Sequence, residues 1–440
     1  MLNKTHDLAA TSWVDSANDD GVDFPVQNLP FCVFSTAGDD WRIGVGIGDQ
    51  ILDVKAAVKA GILASCSTVI QQALSEPLLN DFMALKRRDW QEARLALFEV
   101  LAQSGAQASA AQNQQADILV AQSGASFQVP MNIGDFTDFE CSRHHAKRMQ
   151  RIMSGKSTPS INGYWQPRAY HGRSSSIVIS GTPIYLPWGQ VEDSPTSSSY
   201  QPCVNFDYEL EFGIVIGTGN ERNQPIKIDE AEDYVFGVNL INDWSARDIQ
   251  KFERFPLGPF LGKNHGTSIS PWIVTFEALA PYRNPQPQPG PEYAEPHRYL
   301  QSERNKEEGG LDMNFDVLVS SEKMRKEDVP AFVNSSNRSL DVHWTVSQIL
   351  AQHTVSGCNL RPGDLIGSGT ISGPESNESA CLFELSEGGK QTWQLPNGET
   401  RTFLVAGDEV TITGEAKRDG FKRIGFGNVV GRVYPPCHDG

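Results

Sequence analysis

Apolar and polar positions alternate most clearly between Asp207 and Ile216, where a period of two predicts a strand. Tyr208, Leu210, Phe212, Ile214 and Ile216 fall on one face, and Glu209 and Glu211 on the other. A second strand, Phe236–Asn242, delivers Asp243 at its end. The following run, Asn242-Asp243-Trp244-Ser245-Ala246-Arg247-Asp248-Ile249-Gln250-Lys251, changes period: Ser245 and Asp248 fit a capping box, so a helix is predicted to start there. Arg247, Gln250 and Arg254 recur at i, i+3 and i+7 and share one polar face of it. Toward the N-terminus, Phe31–Phe34 and Trp41–Val54 read as short strands, with Asp49 capping a hairpin turn. From Asn80 to about Gln103 the spacing of Trp90, Arg94, Leu97 and Leu101 predicts one helix. Residues 103–127, rich in Gln, Ala, Ser and Gly, read as a connection with one apolar piece at Ile118–Ala121. The chain thus divides into a small strand-plus-helix domain, 1–125, and a large domain, 126–440, with its start near Phe127.

In the large domain Ser142 is placed to start a helix carrying His144 and His145, only one of which can face a given pocket. Residues 151–169 lack periodicity and read as a loop, and 281–297 are a proline-rich excursion. Trp344–Gln352 reads as a helix; Gly407–Gly414 and the run after Arg423 read as hairpins. Glycine turns between strands dominate after residue 175, so the fold class is mostly β with some α, a sandwich or roll. Small residues surround Thr370, where backbone must approach a ligand or another strand closely.

Composition narrows the partners. A net charge of −17 argues against nucleic acid, which calls for a basic face. No apolar run reaches the ~18 residues of a membrane span. The first residues lack a signal-peptide core, and the 7 scattered cysteines contain no Cys-x-x-Cys, so a reducing, cytoplasmic setting is expected. The same acidity suits a chain that gathers carboxylates around a cation. Glu-x-Glu on a strand is ordinarily a solvated outer face; here Asp243 at the next strand end, with Lys263 and Thr267 on a kinked loop, sets a hard-cation site against that reading.

Several words in the chain resemble the fumarylacetoacetase family. They are Tyr170-His171-Gly172-Arg173, the Asp207–Glu211 stretch, Asn242–Lys251, Pro256–Lys263, Arg361–Leu365, Ser368–Glu375 and Arg423–Gly427. The resemblance runs from about Phe31 to Val433. It implies an SH3-like N-terminal barrel, a catalytic β-roll and a homodimer. It also implies that Asp138, Glu209, Glu211 and Asp243 bind Ca²⁺ or Mg²⁺, with Lys263 and Thr267 lining the metal loop. His145 matches the base that activates water and Glu384 the carboxylate that orients it; Arg247, Gln250 and Lys263 match oxyanion donors. The implied activity is metal-dependent hydrolysis of a carbon–carbon bond in a small-molecule β-diketo acid. Decarboxylation, tautomerisation or carbon–carbon bond formation on a metal-bound enolate is the alternative, and the His145–Glu384 dyad favours hydrolysis over it. A binding scaffold without catalysis is disfavoured by retention of every acid, base and donor.

The departures from the family fall among substrate-binding positions. Tyr170 is kept, but Glu140 and Arg254 stand where the family has tyrosines, and no arginine occupies the carboxylate-binding position near Met153 or Ser154. Two arrangements are open. Glu140 and Arg254 pair, or Arg254 binds a substrate carboxylate itself. The pair is expected, because an unpaired Glu140 would repel an acidic substrate; it implies a substrate less acidic than the family's.

Overall fold

A computed structural model describes residues 2–156, 161–288, 290 and 293–438; parts of the two excursions expected at 151–169 and 281–297 lie outside these. The N-terminal segment forms a five-stranded antiparallel sheet in the order Leu119–Ala121, Gln50–Asp53, Arg42–Ile47, Phe31–Ser35, Ser126–Phe127. The apolar piece expected in a connection is therefore an edge strand, with Ile51 opposite Val120. Asp49 sits in the hairpin turn as expected, accepting from the Ser16 hydroxyl at 2.5 Å and the Gln50 amide at 2.8 Å. The single helix expected from Asn80 is two, Asn80–Met83 and Arg87–Leu101. The break has a local cause: the Asp89 carboxylate accepts from the Lys86 backbone N–H at 3.0 Å and restarts the helix.

The functional half rests on two sheets packed face to face. One is a mixed sheet in the order Arg168–Gly172, Phe136–Glu140, Leu365–Gly367, Leu210–Ile216, Val235–Asp243, Thr267–Ile269, Ile177–Ile179, with Val274–Thr275 branching from Val235–Asp243. The other is ordered Phe332–Arg338, Met313–Ser320, Glu409–Ala416, Ile424–Tyr434, Ile184–Tyr185. Its third and fourth strands pair with each other, Thr411 opposite Val430, so the two hairpins expected there are one. Leu240, Phe315 and Phe426 share the core between the sheets. The approach is close enough that a Cβ on Gly431 would come 2.2 Å from Trp244 Cζ2, which only glycine avoids. The opposite face of the mixed sheet packs on the N-terminal segment: Phe236 meets Trp90 and Phe31 at ring separations of 5.5 and 5.7 Å.

Strands Leu210–Ile216 and Val235–Asp243 are buried along their whole length because both sheet faces are covered. The Glu211 face is therefore no solvated edge. The strand expected from Asp207 to Ile216 breaks at Tyr208 and Glu209, and Asp207 pairs instead with Ser245. The helix expected at Trp344–Gln352 runs Val346–Thr354 and starts where Thr345 and Gln348 form the capping box. No helix among the described residues is long and apolar enough to cross a membrane.

Candidate active site

Register brings the acids together. Leu210 lies opposite Asn242, so Glu209 and Asp243 meet just beyond the pair, and the Asp243 N–H donates to the Glu209 carbonyl at 3.1 Å. Gly367 lies between Gly213 on one side and Asp138 on the other, which carries Asp138 to the same end of the sheet. One carboxylate oxygen from each of Asp138, Glu209, Glu211 and Asp243 falls within 4.8 Å of the others, all four residues buried. Gly367 makes the room: a Cβ there would lie 2.6 Å from Glu211 Oε2 and 2.9 Å from Asp138 Oδ1.

The protein's own groups satisfy only part of this charge. Lys263 bridges Glu209 and Asp243; Thr267 donates to Asp243 Oδ1 at 2.8 Å and Tyr170 to Oδ2 at 3.2 Å. Arg247 Nη1 lies 2.8 Å from Glu209 Oε1. Burial would raise Glu209, but Lys263 and Arg247 outweigh it and bring its carboxyl down to about 2. Burial and the Asp243 charge push Asp138 up to about 7, and burial with Asp138 pushes Glu211 well above the carboxylate range. Asp138 Oδ1 and Glu211 Oε1 are buried without a hydrogen-bond partner. Orphaned carboxylate oxygens converging on one point fit a hard divalent cation of the Ca²⁺ or Mg²⁺ type. Lys263 is an ammonium with no lone pair to offer, so here it balances charge rather than ligating.

The base stands across the cavity. Ser142 caps helix Arg143–Ser154 by accepting from the His145 N–H at 3.2 Å, which places His145 buried in the first turn. His145 Nδ1 lies 2.5 Å from Glu384 Oε1; Ser372 donates to the same oxygen at 2.6 Å and Arg148 to Oε2 at 3.0 Å. Burial opposes the charge on Glu384, yet His145, Ser372 and Arg148 together hold it at about 2. Among the described residues His145 Nε2 has no partner, so an Nδ1–H held by Glu384 leaves the Nε2 lone pair available. His144 turns away toward Arg143, whose Nε is 3.2 Å off, and burial with that neighbouring charge takes it down to about 4.

A cavity of about 450 Å³ is lined by Asp138, Glu209, Glu211, His145, Arg247, Gln250, Lys263, Tyr170 and Thr370, along with Glu140 and Arg254. All but three of the site residues expected from sequence line it. Asp243 lies behind, bonded to Lys263 and to Thr267, which lies behind with it; Glu384 lies behind His145. Helix Arg247–Glu253 forms as expected, but not by the expected cap. Ser245 Oγ donates to the Asp243 carbonyl, and Asp248 folds back to accept from Val204 N at 2.8 Å and Asn205 N at 3.2 Å. Arg247 spends its donors on Asp207, Glu209 and Gln250 Oε1. Gln250 Nε2 has no protein partner among the described residues, which leaves its two donors for a developing oxyanion.

The expected Glu140–Arg254 pair does not form. Glu140 pairs with Arg168, its direct neighbour across the Phe136–Glu140 and Arg168–Gly172 strands. Arg254 rests instead against the Met153 sulfur. Sequence also passed over Asp207, Ser372 and Arg148. Asp207 accepts from Arg247 and from the Leu382 and Phe383 N–H groups at 2.7 and 2.9 Å, tying the Leu382–Leu385 turn that carries Glu384 to the acid side of the cavity. A signal for Asp207 was present, an acid at the head of the Asp207–Glu211 stretch; Ser372 and Arg148 carried none beyond proximity to expected residues.

A buried four-carboxylate cluster and a His–Glu dyad meeting at one cavity fit a metal-dependent hydrolase. The chain belongs to the fumarylacetoacetase family, whose members act on a carbon–carbon bond: residues 135–434 match the fumarylacetoacetate (FAA) hydrolase C-terminal family and 27–130 the fumarylacetoacetase N-terminal family. It is 43% identical to fumarylacetoacetase of Bos taurus over 427 residues, covering 96% of this chain and 99% of that one. The Homo sapiens enzyme is 44% identical over 416 residues, covering 94% and 96%, and the Arabidopsis thaliana enzyme 42% over 428 residues, covering 96% and 98%. Among solved structures, that of Cg1458 with inhibitor aligns at a TM-score of 0.51 and 13% identity, covering 92% of this chain and 99% of that one. That likeness shows the fold alone.

Proposed function

We propose that this chain hydrolyses the carbon–carbon bond of a β-diketo acid of the fumarylacetoacetate type, with His145 as general base. The observation that carries the reading is the His145 Nδ1 contact with Glu384 at 2.5 Å, with Nε2 left free in the cavity that the acid cluster lines. His145 Nε2 takes a proton from water, and Glu384 holds the imidazolium in orientation. The hydroxide adds to the ketone carbon, and the Gln250 amide donates to the oxygen as it gains charge. The carbon–carbon bond then breaks with its electron pair moving to the methylene carbon, which is protonated by the proton His145 took. The products are a carboxylic acid and a methyl ketone. Asp138, Glu209, Glu211 and Asp243 would hold a divalent cation. When bound, it supplies Lewis-acid polarisation of the diketone and charge for the departing enolate.

Ca²⁺ or Mg²⁺ as the ion and a homodimer as the assembly belong to this reading on family membership. A cytoplasmic setting is supported by cysteines that are free throughout the described chain. The test is turnover of fumarylacetoacetate by purified protein with Ca²⁺, Mg²⁺ or excess EDTA, read by loss of diketone absorbance and by product mass. Metal-dependent release of an acid and a methyl ketone is expected. No cleavage with either ion, or full activity in EDTA after exhaustive dialysis, overturns the reading.

A further inference from the structure

A second set of metal-ligating atoms meets behind the base. His145, Cys381 and Glu384 each bring one donor atom within 4.8 Å of the others, and all three residues are buried. Cys381 stands at the head of the Leu382–Leu385 turn, and its Sγ–H donates to Glu384 Oε1 at 3.5 Å. The same oxygen faces His145 Nδ1 at 2.5 Å. The proposed reaction gives Cys381 no task. Burial, then the Glu384 and Asp207 charges, push its thiol well above the ordinary range, so in the metal-free protein it stays protonated and is no nucleophile. The field that opposes a thiolate there favours a cation.

This donor set differs in kind from the acid cluster. Four carboxylates suit a hard ion, whereas a thiol, an imidazole and one carboxylate suit a softer one such as Zn²⁺. Zinc bonds of about 2.0–2.3 Å at tetrahedral angles set N and O ligands about 3.4 Å apart, and S and O ligands about 3.6 Å. The Cys381–Glu384 separation already meets this, and the His145–Glu384 contact has to open by about 1 Å. Arg148 holds Oε2 at 3.0 Å, which leaves Oε1 as the carboxylate donor. Oε1 gives up the Nδ1–H and keeps the Ser372 hydroxyl on its other lone pair. Of the three residues only His145 lines the cavity, so an ion enters past its ring.

We infer that His145, Cys381 and Glu384 form an inhibitory Zn²⁺ site, distinct from the four-carboxylate cluster. Bonds form from the ion to Nδ1, Sγ and Oε1; the Sγ proton leaves to solvent, and the Nδ1 proton passes through solvent to Nε2. Nε2 then carries a hydrogen and has no lone pair with which to take a proton from water, so the base is switched off. The inference rests on the proposed function only for what the ion switches off.

The test uses the full chain saturated with Mg²⁺, so that the acid cluster is filled, titrated with Co²⁺ as a spectroscopic stand-in and then with Zn²⁺. Wild type should develop thiolate-to-Co²⁺ charge-transfer absorption in the near ultraviolet, which Zn²⁺ then removes, and Cys381→Ser should lack it. In turnover assays, each protein referred to its own zinc-free rate, Zn²⁺ should inhibit wild type reversibly. The half-inhibiting concentration should rise at least about 10-fold in C381S, since even an outer-shell partner is worth about 10- to 100-fold in metal affinity. Cys381→Ala is read beside C381S. Should neither variant fold, calorimetry of wild type decides: one proton released per Zn²⁺ supports the site, and none overturns it. Absent charge-transfer absorption in wild type, absorption that C381S keeps, or a rise of less than about 10-fold overturns the inference. Zinc that binds through Cys381 yet leaves turnover whole overturns the inhibitory role. Should wild type show no turnover at all, the functional reading has failed, and the absorption decides the site alone.

Discussion

Replacing Asp138 by asparagine isolates the cost of crowding the acid cluster from the rest of this acidic chain. In the metal-free protein the Asp138 carboxyl is pushed from 3.8 to about 7, chiefly by burial and then by Asp243. Raising a carboxyl in the folded state means that the folded chain binds the proton more tightly than the unfolded chain. Stability is then intact below the unfolded value and falls as pH rises from about 4 to about 7. A rise of about three pH units corresponds to roughly 4 kcal/mol, fully felt at pH 8. For 440 residues, unfolding entropies of about 2 cal/mol/K per residue convert each kcal/mol into about 1 °C of Tm. Asp138→Asn in EDTA should therefore melt about 3 °C above wild type at pH 8, after about 1 kcal/mol for hydrogen bonds the amide makes less well, and at or slightly below wild type at pH 5. Saturating cation at 100 times its Kd should raise wild type by about 3 °C and D138N by less. Scanning fluorimetry at the two pH values, with and without cation, reads all of this. A Tm difference between D138N and wild type that is the same at pH 5 and pH 8 would refute the reasoning, as would a metal response that the substitution leaves whole.

Other substitutions address the remaining parts of the site. His145→Ala should lower kcat at least about 10²-fold while His144→Ala leaves it near wild type; steady-state kinetics showing the mirror image would exchange the two assignments. Lys263→Met leaves Glu209 with Arg247 alone and Asp243 with only the Thr267 and Tyr170 hydroxyls, and should destabilise the metal-free protein by about 3–5 kcal/mol, measured by denaturant titration; no loss would mean that the bridge is dispensable. Arg148→Met should raise Glu384 from about 2 toward its ordinary 4.5. The stability Glu384 contributes above pH 4.5 is lost as pH falls toward 2, so the variant should unfold at higher pH on acid titration; circular dichroism showing an unmoved midpoint would count against the Arg148 contact.

The chemistry was legible where it sits on strands, strand ends and two helices. Period-two alternation put Glu209 and Glu211 on one face, and a strand end gave Asp243, so the ligands could be read by geometry and then by family words. His145 rather than His144 was assigned as the base from the family resemblance alone; the physical reason, the Ser142 cap that sets the phase of the helix, is in the structure. The fold was less legible where tertiary contact overrides local pattern. Burial on both faces hid the true setting of the Glu211 strand, which looks half-exposed by composition. The Leu119–Ala121 strand is too short to announce itself and exists because Gln50–Asp53 offers it an edge. Asp248 carried the spacing of a cap, yet the N–H groups of Val204 and Asn205, 44 and 43 residues away in sequence, lie closer to its carboxylate.

The substrate wall shows the limit most plainly, because charge pairing there depends on strand register, and register is not written in either strand alone. Glu140 and Arg168 are 28 positions apart in the chain but directly opposed across the sheet, in the same ladder that sets Asp138 against Tyr170. Residues i and i+2 of a strand share a face, so Asp138 and Glu140 look into one cavity and Tyr170 and Arg168 answer them. An acid at 140 without Arg168 would add a further negative charge beside the Asp138 cluster. Glu140 and Arg168 therefore cancel as a pair and add no net charge at that corner. Position 254 has no such carboxylate partner among the described residues, so its guanidinium is the change that alters the charge of the wall.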